Sequence, residues 1–118
     1  MADLTFTNLA AQLPANALVE DAGNNDVTIS LKTLMGETAV ALTDEKVSEA
    51  ISKLLSGAST AQVAYNSTDP APTTPLNGFP SPTRGNPVTQ TDGSIVSVKT
   101  HTIRVSVPLQ ESEITGAV

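Results

Sequence analysis

Cysteine is absent from the chain, which removes disulfides, thiolate metal sites and thiol nucleophiles together. Aromatic side chains are nearly as scarce: Phe6, Tyr65 and Phe79 are 3% of the residues. The core must then rest on Val, Ile, Leu and Ala, which bury less area apiece. A protein of 118 residues with such a core is expected to gain stability from neighbours. Basic charge is thin as well. Six Lys and Arg stand against twelve Asp and Glu, a formal charge of −6, and Lys32, Lys46, Lys53, Arg84, Lys99 and Arg104 are scattered singly. Phosphate backbones and anionic lipid are held by clustered cations, so neither direct nucleic-acid nor membrane binding is expected. No apolar run approaches a membrane span. The first twenty residues lack the basic and continuous apolar regions of a secretory signal.

Catalytic groups are few. His101 is the single histidine, too little for a zinc site. A Ser-His-Asp set drawn from His101, Asp92 and the many serines has no nucleophile-elbow motif behind it. The carboxylate pairs Glu20/Asp21, Asp44/Glu45 and Glu111/Glu113 fall in a turn, at a helix start and in a tail. Each has a structural reason to be there. "EDAGNND" misses the spacing of a calcium loop, and "GFPSPTRG" has prolines where a phosphate cradle needs backbone donors. No cofactor, no metal and no enzymatic activity are expected.

What is present reads as α+β: one small antiparallel sheet, one principal amphipathic helix and a long Pro-rich arm, in a single domain over 1–118. "LTFTNLAAQL" alternates as a short strand or extended arm. "PANALVEDAGNND" reads as a connection ending in a turn. "DVTISLKTLM" places Val27, Ile29, Leu31 and Met35 on one face of a strand, and "TAVAL" extends into the helix. In "TDEKVSEAISKLLSG" the residues Val47, Ala50, Ile51, Leu54 and Leu55 form a stripe. Thr43 or Asp44 caps its start and Gly57 stops it, after which "STAQVAYN" frays into extended structure. Asp92-Gly93 signals a two-residue hairpin between "PVTQT" and "SIVSVKTHTIRVSVPL". In the second strand Val96 and Val98 are out of phase with Ile103, Val105, Val107 and Leu109. Either a bulge between Lys99 and Thr102 or two different packing partners must resolve this. Residues 110–118 form a loose acidic tail.

The segment 67–87 holds six of the eight prolines. A flexible linker has no use for Leu76 and Phe79, and the β segment beyond it is too small to stand alone. The segment is therefore expected to be an ordered arm docking through Leu76 and Phe79, at least partly on another subunit. Small acidic proteins with modest cores, Pro-rich arms and no chemistry suit subunits that build shells, tubes or filaments. The expectation is a non-enzymatic structural subunit of a larger assembly, of the kind that forms the capsid, tail or decoration of a virion, located in the cytoplasm or virion. Its partners are copies of itself or other protein subunits, and its contacts are assigned to Leu76, Phe79, Arg84, Val96 and Val98. The alternative is a small cytosolic protein-binding or adaptor module.

Overall fold

A computed structural model describes residues 3–108; Leu109 and the tail 110–118 lie outside the described residues. The fold is α+β. Helices α1 (Phe6–Ala10), α2 (Leu31–Met35) and α3 (Val47–Asn66) accompany strands β1 (Leu18–Asp21), β2 (Asp26–Ile29), β3 (Thr83–Arg84), β4 (Val88–Thr89), β5 (Ile95–Val96) and β6 (Lys99–Thr100). Among the described residues the strands form three two-stranded antiparallel ladders, β1–β2, β3–β6 and β4–β5, in place of one sheet.

The N-terminal segment is helical where alternation suggested a strand. Thr5 and Asn8 form a reciprocal capping box, with Thr5 Oγ1 accepting from Asn8 N and Asn8 Oδ1 accepting from Thr5 N, both at 3.0 Å. Local capping outweighs two alternating apolar residues. The connection after Pro14 contains β1, whose partner β2 pairs Leu18 with Ile29 across the turn. The expected strand through Met35 ends at Ile29 instead. Ser30 caps α2 by accepting from Thr33 N, and Gly36 closes it in the left-handed region at φ 68°. Leu31 is therefore exposed while Leu34 and Met35 are buried. Residues 38–42 adopt no regular structure.

Helix α3 runs 20 residues and passes through Gly57. Its N-cap is Lys46, whose side chain makes no capping bond. Asp44 turns back to accept from Ala41 N at 2.8 Å, and Glu37 pairs with Lys46. Gly57 is not a stop but a contact. A Cβ built there would stand 2.5 Å from Leu13 Cδ2, so any side chain at 57 would displace the end of Leu13. Leu54 packs on the small core of Leu13, Ala17 and Leu34, together with Leu9 and Leu18. Val47 and Ile51, expected in the buried stripe, are exposed at 69% and 50%.

Strands β3 to β6 form one interrupted ribbon. Thr83–Arg84 pair with Thr100–Lys99, and Val88–Thr89 with Val96–Ile95. Between these pairs Gly85, Asn86 and Pro87 oppose only Ser97 and Val98, so the irregularity lies on the first strand, not between Lys99 and Thr102. Pro87 supplies a reason: it has no N–H to give a ladder. The hairpin loop is three residues long, since Gln90 N donates to Ser94 O at 2.8 Å and Gly93 takes φ 87°. Beyond Thr100 the backbone leaves the ribbon, and Arg104 N donates to Gly78 O at 2.8 Å. The two phases of the long apolar segment thus lie on different stretches of backbone, and the side chains of both are exposed.

Candidate functional site

The most organised polar arrangement among the described residues lies along α3. Ser52, Ser56, Ser59, Gln62 and Asn66 recur at intervals of three and four residues, so they share one face. At 1.5 Å per residue this face extends about 21 Å. Each member binds a residue from the part of the molecule that follows the helix. The Asn66 amide donates to Leu76 O and accepts from Leu76 N, both at 2.9 Å. One turn earlier, Gln62 donates to Phe79 O at 3.1 Å and accepts from Phe79 N at 2.9 Å. Ser59 Oγ donates to Pro80 O at 3.0 Å. Lys99 Nζ donates to Ser56 Oγ at 2.8 Å, and Ser52 Oγ lies 2.9 Å from His101 Nε2. The Pro-rich segment and the ribbon are thereby held antiparallel to α3, largely through backbone atoms of the segment.

The residues expected to make contacts distribute unevenly on this frame. Leu76 is buried, and Phe79 is half-buried with both its backbone groups clamped. Arg84 is exposed on β3 directly opposite Lys99; that juxtaposition of cations is eased by Lys99 turning to Ser56. Val96 and Val98 are both exposed, Val98 at 73%. The surface that Leu76 and Phe79 meet through their backbone atoms is this protein's own helix.

Ser52 and His101 stand at the distance of a nucleophile and its base. A catalytic pair also needs an orienting acid on the other ring nitrogen, and among the described hydrogen bonds none reaches it. Asp92 turns instead to Ser94, accepting from its N at 2.9 Å and its Oγ at 2.6 Å. These bonds hold the Asp92 carboxyl below its ordinary value, the side-chain bond most strongly. Asp21 is lowered in the same way by Asn24 in the β1–β2 turn. Both carboxylates serve turns. Among the described residues no three His, Cys, Asp or Glu converge as a metal site, and no helix is long and apolar enough to cross a membrane.

Sequence reasoning missed the polar face of α3. Its signal is present in the 3–4 spacing, but Gly57 reads as the end of the helix and hides it. No protein-family model, curated protein or solved structure matches the sequence.

Proposed function

We propose that the protein is a non-enzymatic structural subunit that self-associates through protein–protein contacts, in an assembly of the virion-coat, tail or decoration type. The observation that carries this reading is the amount of surface one copy leaves open. The accessible area is 8971 Å², where a compact monomer of 12.1 kDa exposes about 6,000 Å². The radius of gyration is 18.1 Å, against about 13 to 14 Å for a compact protein of this length. The excess is nearly four times the roughly 800 Å² that each partner contributes to an ordinary stable interface. Much of the open surface is apolar, with Phe6, Val47, Ile95, Val98, Val105 and Val107 all exposed.

Sedimentation over a range of concentrations, with negative-stain imaging, tests the reading. Large regular particles or a concentration-dependent series of oligomers are expected. A monodisperse monomer throughout would overturn it in favour of an adaptor that binds a different protein.

A further inference from the structure

Residues 77 and 78 are Asn-Gly, the one place in the sequence where asparagine precedes glycine. The pair lies between the two clamped residues of the Pro-rich segment. Leu76 is held at N and O by Asn66, and Phe79 at N and O by Gln62. An asparagine carries its own electrophile, the carbonyl carbon Cγ, and the nitrogen of the next residue can close a five-membered ring on it. Glycine has no Cβ to obstruct that approach, and holding both groups in one chain favours the reaction.

The reacting groups are free here. Among the described hydrogen bonds none is made by Gly78 N or by the Asn77 side-chain amide, and Asn77 is exposed. A cavity of about 140 Å³ opens over the pair, lined by Asp3, Asn77, Gly78, Arg104 and Ser106 among others. Arg104 Nη1 donates to Asn77 O at 3.3 Å, and Arg104 N to Gly78 O at 2.8 Å. Asn77 O is the carbonyl of the peptide bond whose nitrogen is Gly78 N. When that nitrogen gives up its proton, negative charge spreads onto Asn77 O, where the guanidinium stabilises it.

Comparable positions are held shut. At Asp92-Gly93 the glycine N donates to Gln90 O at 3.0 Å, and Ser94 takes the Asp92 carboxylate. After Asn8, Asn16 and Asn66 the next N–H is given to Thr5 O, Pro14 O and Val63 O. Pro87, which follows Asn86, has no N–H to react.

We propose that Asn77 is a self-modification site. Gly78 N attacks Asn77 Cγ, the bond from Cγ to the side-chain nitrogen breaks, and ammonia leaves with the Gly78 proton. Water then opens the succinimide to aspartate or isoaspartate, and Arg104 promotes the ring closure. The isoaspartyl product adds a methylene to the main chain between Leu76 and Phe79, so Asn66 and Gln62 no longer hold both in register. The arm is thereby loosened irreversibly, whether or not the protein self-associates.

Full-length protein is incubated folded and in urea, with amide loss at each asparagine followed by peptide mapping in a mass spectrometer. Folded wild type is expected to convert at residue 77 at least as fast as the unfolded chain, and at least about tenfold faster than at Asn8, Asn16 or Asn66. Arg104→Gln should slow residue 77 by at least about threefold when folded and not in urea, with Arg104→Lys closer to wild type. In isoaspartyl chains Phe79 should lose its protection from hydrogen exchange. Asn77→Asp, which adds the charge without the methylene, should keep it. Conversion at residue 77 at least about tenfold slower folded than in urea would overturn the site. Equal folded rates for wild type, Arg104→Gln and Arg104→Lys would overturn the part given to Arg104, and a protected Phe79 in isoaspartyl chains would overturn the loosening.

Discussion

Gln62 and Asn66 each match a backbone N–H and C=O with the donor and acceptor of one side-chain amide. Losing such a side chain strands both backbone groups in a partly buried place, at about 1 to 3 kcal/mol per site. Gln62→Ala should therefore lower the thermal midpoint and release the Phe79 amide to hydrogen exchange. Thr60→Ala, at an exposed hydroxyl returning to its own helix, should leave both near wild type. His101→Ala should cost about 1 kcal/mol through the lost Ser52 bond, with hydrolysis of activated esters unchanged; a loss of turnover in the folded variant would reinstate a catalytic reading. Asp92 sets a pH dependence. Its folded value lies below its unfolded one, so its contribution is present above the ordinary carboxylate value and is lost as pH falls through the lowered one. Ser94 amide protection should drop in that acid window, and Asp92→Asn should abolish the step. The Asp92-Gly93 turn was legible in the sequence because its cause is local. The amide clamps were not, because their partners lie 10 and 17 residues away.

Helix α3 separates two kinds of packing. Gly57 faces Leu13 and Leu9 on one side, while the Ser, Gln and Asn face holds the C-terminal half on the other. Alanine at position 57 would gain about 1 kcal/mol of helix propensity. It must also displace the end of the Leu13 side chain within the small core, at about 1 to 3 kcal/mol. Gly57→Ala is expected to be destabilising by about 1 kcal/mol net, read from urea unfolding; a rise in stability would show that the Leu13 site yields freely. Val47→Asp should be tolerated, since that side chain meets solvent and not the core. An amphipathic period identified the helix correctly in kind. It did not identify which face would be covered, because much of the burial of α3 falls on Gly and Ala, too small to register in an apolar stripe.

At the scale of the whole molecule, small-angle scattering at high dilution should give a radius of gyration near 18.1 Å, with the apparent mass rising on concentration. The mixture of helix and antiparallel ladders was legible from period and turn residues. The division into three ladders was not, because it depends on the extra residue in the stretch Gly85–Pro87, where only Gly85 N still bonds across to Val98 O, and on where the backbone leaves the ribbon after Thr100. The clamp on the Pro-rich segment carries a last consequence. It grips main-chain atoms, which every amino acid possesses, and it needs an N–H only at Leu76 and Phe79; Pro80 offers its carbonyl alone. Residues 71, 73 and 74 are exposed and lie before the first gripped position. A foreign peptide spliced in there would hang from an anchored base, displayed once per copy at positions that the single copy leaves in solvent.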